Sequence, residues 1–184
     1  MKIVAIVQAR MGSTRLPNKV MKPIGGVPMI ELLLARLAKS KHINQIVLAT
    51  STDERNTPLV EHVQKLGYTC VRGSESDVLD RYLVAARQAQ ADVVVRITGD
   101  CPLIDPTLVD QVIAQFKSEG VDYLSNTAPA SYPDGLDTEV FSLQALERAG
   151  RESQDPFDHE HVTPYLRKPG LYNSGAMQHS EDLS

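Results

Sequence analysis

Residues 3–19 read Ile3-Val4-Ala5-Ile6-Val7-Gln8-Ala9-Arg10-Met11-Gly12-Ser13-Thr14-Arg15-Leu16-Pro17-Asn18-Lys19, an apolar segment joined directly to a polar, cationic loop. The first five residues are all apolar, as expected of a parallel strand whose two faces are both covered by helices. Ligands of such sheets bind at the carboxyl ends of the strands, where the chain turns outward. The stretch therefore predicts an α/β fold with a ligand site in the loop after its first strand.

This loop contains the residue types of a phosphate site. Gly12 lets the main chain approach an anion closely, and three cationic side chains lie within ten residues, those of Arg10, Arg15 and Lys19. No acidic residue occurs between positions 2 and 27 to neutralise them. A solvated cationic loop is the alternative interpretation. Neither Gly-x-x-x-x-Gly-Lys-Ser/Thr nor Gly-x-Gly-x-x-Gly occurs in the chain, so we predict a triphosphate-binding loop of another type.

Apolar strands and amphipathic helices alternate after the loop. Besides the strand at 3–7, we predict strands at 46–50, 69–71, 93–97, 121–124 and 138–141 and helices at about 28–40, 57–67, 77–91, 105–119, 142–152 and 157–166. Repeated units of this kind predict a three-layer α/β/α fold with a mostly parallel, twisted sheet. The length of 184 residues fits one domain, 1–184. The long polar loop at 125–135 is expected to be functional.

Composition excludes several classes of protein. The net charge is −4 and no basic stripe occurs outside the first loop, which argues against nucleic acid as the main partner. Cys70 and Cys101 are too few for a disulfide framework or a structural zinc site, and they fit a reducing cytoplasm. The apolar start is too short for a signal peptide or a membrane span. We therefore expect a cytoplasmic protein without a membrane partner.

Six segments carry a resemblance to a known family. They are 8–19, 24–30 (Ile-Gly-Gly-Val-Pro-Met-Ile), 76–82 (Ser-Asp-Val-Leu-Asp-Arg-Tyr), 96–106 (Arg-Ile-Thr-Gly-Asp-Cys-Pro-Leu-Ile-Asp-Pro), 132–141 (Tyr-Pro-Asp-Gly-Leu-Asp-Thr-Glu-Val-Phe) and 159–165 (His-Glu-His-Val-Thr-Pro-Tyr). They resemble sugar nucleotidyltransferases, within these the acylneuraminate and 3-deoxy-manno-octulosonate cytidylyltransferases, and most of all the spore-coat polysaccharide branch. The resemblance spans nearly the whole chain. It implies a Rossmann-like fold of the nucleotide-diphospho-sugar transferase type.

The resemblance implies the following nucleotide and metal site. The nucleotide-binding residues of the first loop are Gln8, Ala9, Arg10, Gly12, Ser13, Arg15 and Lys19. Asp100 follows the predicted central strand, and its hard oxygen suits Mg²⁺, which takes one or two carboxylates together with phosphates. From the pattern alone Asp100 could instead cap a turn. The resemblance favours a role in holding the metal that bridges the triphosphate. We therefore expect Arg10, Arg15, Lys19 and Asp100 to be catalytic.

Two further nucleotide-binding candidates carry an alternative each. Arg96 lies on the predicted central strand, so its side chain points either into the site or into the opposite layer of helices, where it would need an anionic partner. Asp77 at the start of a predicted helix contacts the nucleobase or simply caps the helix.

Sugar-binding candidates follow the polar loop. The carboxylates of Asp134, Asp137 and Glu139 suit sugar hydroxyls, a second metal or a solvated turn, and in the related enzymes this region faces the acceptor. We predict hydroxyl recognition by Asp137 and Glu139 and a turn at Asp134. His159 and His161 are two residues apart on a predicted helix, so they do not form a metal pair, and one of them, His161, is expected to face the sugar.

The resemblance implies a reaction in which a hydroxyl of an acidic sugar attacks the α-phosphorus of CTP and pyrophosphate leaves, with Mg²⁺ as cofactor. A glycosyltransferase that consumes a nucleotide sugar is one alternative, although such enzymes commonly carry Asp-x-Asp where this chain has Gly-Asp-Cys-Pro at 99–102. A non-catalytic nucleotide-binding module is the other. A homodimer is left open.

The last residues, 178–184, depart from the family pattern. In the related proteins a similar acidic segment is followed by an Asp-Thr-Pro-Glu-Asp-Leu type motif whose first aspartate supplies another metal ligand, and this motif is absent here. We therefore expect a domain that lacks its C-terminal segment and binds nucleotide with weak or absent turnover. A degenerate member of the family, or one that borrows a carboxylate such as Asp137 or Glu139, is the alternative.

Overall fold

A computed structural model describes residues 1–13 and 15–184; Thr14 of the first loop lies outside the described residues. The strands of this part of the chain are β1 (Ile3–Gln8), β2 (Pro23–Ile24), β3 (Val27–Pro28), β4 (Gln45–Ser51), β5 (Thr69–Gly73), β6 (Val93–Thr98), β7 (Tyr123–Ser125), β8 (Glu139–Ser142) and β9 (Ser174–Ala176). The α-helices are α1 (Met29–Leu37), α2 (Thr57–Lys65), α3 (Val78–Gln88), α4 (Pro106–Glu119), α5 (Leu143–Glu152) and α6 (Pro156–His161). Short 3-10 turns occur at Lys19–Met21, Glu54–Asn56 and Tyr165–Arg167.

Seven of the described strands form one sheet in the order β5-β4-β1-β6-β8-β7-β9, and β2 and β3 form a separate hairpin. The pairs β4–β5, β1–β4, β1–β6 and β7–β9 are parallel, whereas β8 runs antiparallel to both β6 and β7. Gln8 pairs with Thr98, so β1 and β6 end side by side. This arrangement confirms the predicted mostly parallel sheet and brings two strand ends together at one edge.

Helices cover both faces of the sheet. Alternate residues of β1 point to opposite sides: Val4 and Ile6 pack with α3 and α5, and Ala5 and Val7 pack with α1, α2 and α4. All of these side chains are fully buried. The three-layer prediction is therefore confirmed, and the reason is the run of apolar residues on both faces of the first strand. None of the helices in 1–13 and 15–184 has the length and apolarity needed to cross a membrane.

The structure differs from the sequence-based prediction mainly near the C-terminus. The predicted last helix at 157–166 is broken, because α6 ends at His161 and a separate turn, Tyr165–Arg167, follows. Val162 between them has φ 71° and ψ −56°, which no α-helix contains. The strand β9 was not predicted, because its sequence, Ser-Gly-Ala, has little of the β-branched or aromatic character that marks strands.

Gly99 sits where β1 and β6 end, and we expect an alanine here to disturb the site. A Cβ at this position would lie 2.7 Å from Ala9 Cβ and 2.8 Å from the Gln8 carbonyl oxygen, two atoms that cannot move without the backbone. Overpacking of this kind costs about 1–3 kcal/mol, so Gly99→Ala should lower the free energy of unfolding by that amount in urea titrations. Gly12→Ala is the matched control, because its Cβ would approach only the flexible Arg55 side chain, at 3.8 Å. Equal effects of the two changes would contradict the prediction.

Candidate active site

A cleft of about 640 Å³ opens at the ends of β1 and β6. The first loop supplies one wall, and the cleft also contacts the start of α3 and the end of α6. Its lining includes seven nucleotide-site candidates of the first loop together with Asp100: Gln8, Ala9, Arg10, Gly12, Ser13, Arg15, Lys19 and Asp100. The structure thus brings together eight of the ten residues expected in the nucleotide and metal site, and the two absent from this lining are Asp77 and Arg96.

The conformation of the first loop is held from below by a buried amide. Asn56 Oδ1 accepts a hydrogen bond from the Met11 backbone N–H at 2.8 Å, and Asn56 Nδ2 donates to Ser51 Oγ at 2.6 Å. The side chain of Asn56 is almost completely buried. Because a buried amide that is hydrogen-bonded at both its oxygen and its nitrogen has few alternative arrangements, this contact fixes the loop relative to β4.

Two cations of the loop form ion pairs with residues that are distant in sequence. Arg10 Nη1 lies 2.9 Å from Glu75 Oε1, and Lys19 Nζ lies 3.2 Å from Asp100 Oδ2. The absence of acidic residues near the loop in the sequence therefore did not mean an absence of acidic neighbours in space. These pairs are half-exposed, so each is weak in water and is readily exchanged for a pair with phosphate.

The carboxylate of Asp100 is poised to stay ionised. Burial raises its pKa, but hydrogen bonds from Thr98 and Lys19 outweigh that effect, so the pKa lies below its ordinary value. An ionised, partly exposed carboxylate beside the cationic loop suits a Mg²⁺ ion that arrives with phosphate oxygens. No cluster of three or more acidic, histidine or cysteine side chains with metal-site geometry occurs in the part of the chain described. The residues therefore fit a metal shared with a triphosphate.

Arg81 is a member of the cleft that sequence reasoning missed. It is almost completely buried, and its Nη1 donates to the Ser74 carbonyl oxygen at 3.2 Å. Its Nε has no hydrogen-bond partner within the described residues, and burial lowers the pKa of the guanidinium. No sequence signal marks it, because an arginine in an amphipathic helix is ordinarily a surface residue. Glu75 was also missed, because an exposed acidic residue in a short loop between a strand and a helix carries no sequence signal either.

A second, smaller pocket of about 300 Å³ adjoins the cleft. Its lining includes all three sugar-site candidates, Asp137, Glu139 and His161, as well as Arg96 and Arg167. Thr98 and His161 line both pockets, so they mark the boundary between them. A ligand in the first pocket and a ligand in the second would meet at this boundary.

Arg96 and Glu139 form an ion pair beneath the second pocket. Arg96 Nη1 contacts Glu139 Oε2, and Glu139 Oε1 accepts from the Tyr123 hydroxyl at 2.6 Å. Burial raises the pKa of Glu139, but Arg96 and the Tyr123 hydroxyl outweigh it and hold the pKa below its ordinary value. The strand register places the two residues opposite each other on β6 and β8. Arg96 therefore lines the second pocket and not the first cleft, and Glu139 is the anionic partner that a buried arginine needs.

Asp137 differs from its neighbour Glu139. Its pKa is raised by partial burial and by the nearby carboxylates of Asp134, Glu139 and Asp100. A carboxylate among other carboxylates gains from a cation or a hydroxyl donor. Asp137 is thus the acidic residue of the second pocket that remains available to a ligand, whereas the oxygens of Glu139 are already bonded to Arg96 and Tyr123.

Asp77 caps a helix and is absent from the lining of the cleft, so the structure favours its capping alternative. Its Oδ1 accepts from the Asp80 backbone N–H at 2.8 Å at the start of α3. Its Oδ2 lies 2.8 Å from His159 Nδ1 on α6. The adjacent Ser76 lines the cleft instead. Capping of the first turn satisfies a backbone N–H that would otherwise be unpaired, which explains why the side chain turns back to the helix.

The fold and the cleft define an α/β protein of the nucleotidyltransferase class, with a cationic loop at the carboxyl ends of parallel strands. A family model described as cytidylyltransferase matches residues 4–179. The chain therefore belongs to the cytidylyltransferase family. This membership favours nucleotidyl transfer over the glycosyltransferase alternative.

Individual relatives agree with this assignment. The chain is 38% identical over 176 residues to the spore coat polysaccharide biosynthesis protein SpsF of Bacillus subtilis, covering 92% of this chain and 72% of that protein. It is 34% identical over 205 residues to an 8-amino-3,8-dideoxy-manno-octulosonate cytidylyltransferase of Shewanella amazonensis, covering 100% of this chain and 82% of that enzyme. A solved structure of a cytidylyltransferase from Leptospira borgpetersenii superposes with a TM-score of 0.95 at 34% identity, covering 100% of this chain and 79% of that one.

Arg15→Ala and Lys19→Ala are each expected to weaken CTP binding without unfolding the protein. Both side chains lie in a polar loop that lines the cleft, and neither belongs to the apolar core. A hydrogen bond to a charged group contributes about 1.5–3 kcal/mol. The free energy of CTP binding, measured by titration calorimetry, should therefore weaken by about that amount in each variant. Lys22→Ala, outside the cleft lining, is the control. Unchanged affinity in both loop variants would remove the loop from the site.

Proposed function

We propose that this protein transfers the cytidylyl group of CTP to a hydroxyl of an acidic sugar, forming a CMP-sugar and releasing pyrophosphate. The observation that carries the proposal is the pair of adjoining pockets, one bordered by the cationic loop and the other by Asp137 and Arg167, with His161 at their boundary. Membership of the cytidylyltransferase family supports CTP as the nucleotide. The name of the Shewanella relative supplies the class of acceptor, a sugar acid.

The nucleotide occupies the larger cleft in this proposal. Arg10, Arg15 and Lys19 bind the phosphates, and Arg10 exchanges its contact with Glu75 for a phosphate oxygen. The acceptor hydroxyl attacks the α-phosphorus in line, the bond from that phosphorus to the bridging oxygen breaks, and the hydroxyl proton passes to solvent. No covalent intermediate with the protein forms, so its contribution is positioning and charge neutralisation.

Magnesium is a proposed cofactor, with Asp100 as the residue that would hold it beside the triphosphate. A bound Mg²⁺ supplies stabilisation of negative charge on phosphate oxygens without proton transfer. Burial raises the pKa of Asp137, and the carboxylates of Asp134, Glu139 and Asp100 raise it further, so a cation between the cleft and the second pocket would relieve the repulsion among these carboxylates. Lys19 stays within reach of both Asp100 and the phosphates.

The acceptor occupies the second pocket. Arg96 is already neutralised by Glu139, whereas Arg167 forms no ion pair within the described residues, so Arg167 is the guanidinium offered to the sugar carboxylate. Asp137 accepts hydrogen bonds from sugar hydroxyls. Glu139, which was expected to do the same, instead keeps Arg96 in place. His161 lies where the acceptor meets the nucleotide.

A pyrophosphate-release screen tests the proposal. The four nucleoside triphosphates are each combined with a panel of acidic sugars and their neutral analogues, with and without magnesium. We expect release with CTP and an acidic sugar, and we expect Arg167→Ala to raise the KM for the sugar more than that for CTP. A panel without turnover, together with intact CTP binding, would favour the non-catalytic nucleotide-binding module. The prediction of weak turnover stays untested until this measurement.

We further propose that the product serves the synthesis of a surface polysaccharide, a role supported by the name of the Bacillus relative. A cytoplasmic location is proposed as well, since Cys70 and Cys101 are both free thiols. The homodimer stays a prediction, and the elution volume of the purified protein tests it.

A further inference from the structure

The segment after α5 forms the partition between the two pockets. Glu160 and His161 at the end of α6 face the nucleotide cleft, and His161 and Thr163 face the second pocket. Any shift of α6 therefore changes both pockets at once. What holds this short helix in place bears directly on how the two ligands are aligned.

The backbone after α6 takes a strained turn. Val162 has φ 71° and ψ −56°, and the Thr163 backbone N–H donates to the His161 carbonyl oxygen at 2.8 Å. These are the features of the rare γ-turn with a positive φ, which is unusual for a β-branched residue. Val162 is fully buried. Since strain persists only where surrounding contacts impose it, the neighbours of α6 must hold this turn.

Two side chains anchor α6 to the rest of the protein. Asp158, nearly fully buried, accepts from Ser153 Oγ at 2.6 Å and from Lys168 Nζ at 2.7 Å. His159 bridges to α3: its Nδ1 lies 2.8 Å from Asp77 Oδ2, and its Nε2 lies 3.2 Å from the Ser153 carbonyl oxygen. Asp77 directly follows Ser76, a residue of the nucleotide cleft.

The partners of His159 define its protonation state. A carboxylate oxygen and a carbonyl oxygen can only accept hydrogen bonds, so both ring nitrogens of His159 must donate. Neutral histidine has a single N–H, and only the imidazolium can make both contacts. His159 is thus a charged link between α6 and the start of α3.

We propose that Asp77 and His159 are positioning residues, a carboxylate–imidazolium pair that seats α6 against α3 and thereby keeps His161 at the boundary where the acceptor meets the nucleotide. The proposal rests on the proposed assignment of the two pockets. Neither residue lines a pocket, so the pair acts on the reaction through α6. Its loss should affect acceptor use more than nucleotide binding, because the first loop is held separately by Asn56.

The charges around His159 favour its protonated form. Asp77 faces it from α3 and Asp158 lies beside it on α6, while Glu160 is adjacent in sequence and Lys168 is paired with Asp158. Burial lowers the pKa of His159, but hydrogen bonds to the Ser153 carbonyl and to Asp77 outweigh this, so the pKa is raised above its ordinary value of 6.5. The charged Asp77–His159 pair is therefore fully formed below pH 6.5, and it is lost as the pH rises through the raised pKa of His159.

Asp77→Asn separates the charge from the geometry. The amide oxygen introduced by this substitution can still cap α3, and the amide nitrogen can donate to an unprotonated Nδ1 of His159, which leaves Nε2–H for the Ser153 carbonyl. We expect NMR titration to show a lower pKa for His159 in this variant than in the unchanged protein. In the unchanged protein, kcat/KM for the acceptor should decline at alkaline pH as His159 loses its proton. In the Asp77→Asn variant, with each pH profile normalised to its own maximum, this decline should be absent. If the pKa of His159 were the same in Asp77→Asn as in the unchanged protein, the proposed carboxylate–imidazolium pair would be refuted.

Kinetics of His159 variants test the positioning role. His159→Ala should lower kcat/KM for the acceptor by about 10–100-fold, because a misplacement near 1 Å has an effect of that size. The dissociation constant for CTP should change less than this, because the first loop is held separately by Asn56. His159→Asn should recover much of the loss, because its amide replaces the Nδ1 donor. His62→Ala is the matched control, since His62 pairs with Glu31 at 3.0 Å away from both pockets.

The outcomes distinguish this inference from the proposed function. Unchanged acceptor kinetics in an active, folded His159→Ala would refute the positioning pair alone. Absence of turnover in the unchanged protein with every acidic sugar would refute the proposed function and, with it, the role of the pair in the reaction.

Discussion

Replacing Glu139 with alanine is expected to lower the free energy of unfolding by about 3–5 kcal/mol, the cost of leaving a buried charge without its partner. The change removes the carboxylate that contacts the Arg96 guanidinium and accepts from the Tyr123 hydroxyl. Arg96 already has one buried donor, Nε, without a hydrogen-bond partner in the described residues, so it has little means of compensating. Urea denaturation followed by circular dichroism measures the effect.

The pH dependence of this effect has a definite sign. The pKa of Glu139 is below its ordinary value of 4.5 in the folded protein, because Arg96 and Tyr123 outweigh the effect of burial. The stability that its charge contributes is therefore present above pH 4.5 and is lost as the pH falls through the lower, folded-state pKa. The difference between the unchanged protein and Glu139→Ala should be greatest near neutral pH and should shrink in acid.

Two further variants control this prediction. Glu147→Ala removes a partly exposed partner of Arg87 at 3.0 Å, and a loss within about 1 kcal/mol is expected, since surface ion pairs contribute little. Arg96→Met combined with Glu139→Leu should recover much of the stability, because an apolar pair often replaces a buried ion pair without loss. A loss for Glu139→Ala no larger than that for Glu147→Ala would show that the buried pair does not stabilise the fold.

Asp100→Asn is expected to make CTP binding independent of magnesium and to lower the rate of pyrophosphate release by about 10²–10³-fold, since loss of one group that stabilises developing charge in a preorganised site has a cost of that order. The substitution is nearly isosteric and removes only the negative charge beside Lys19 and the cleft. Calorimetric titration of CTP with and without magnesium gives a readout that does not depend on turnover.

Asp134→Asn is the matched control for Asp100→Asn. It removes a nearby carboxylate that lines neither pocket, so magnesium should still tighten CTP binding to this variant. If magnesium tightened CTP binding to Asp100→Asn as much as to the unchanged protein, Asp100 would be only a turn residue and the metal proposal would fail.

The sequence by itself determined the fold class, the mostly parallel sheet and the position of the cationic cleft. Apolar residues on both faces of β1, together with the repeated alternation of strands and helices, predicted a sheet covered by helices on both sides. The first loop carries its cations within one short stretch, and Asp100 closely follows β6. Such local patterns can be interpreted without the tertiary structure, because neighbours in sequence remain neighbours in space.

Only the tertiary structure decided which charges meet. Glu75 is 65 residues from Arg10, and the segment between β5 and α3 brings it to the first loop. Glu139 is 43 residues from Arg96, and the register of β6 and β8 places the two residues opposite each other. Asp77 is a cap bound to His159, 82 residues away, and the predicted last helix breaks at Val162 because packing and hydrogen bonds hold a turn that local propensity disfavours. The sequence shows which chemistry each side chain can supply. The partner that neutralises a buried charge is determined by the fold, because the fold brings distant segments of the chain together.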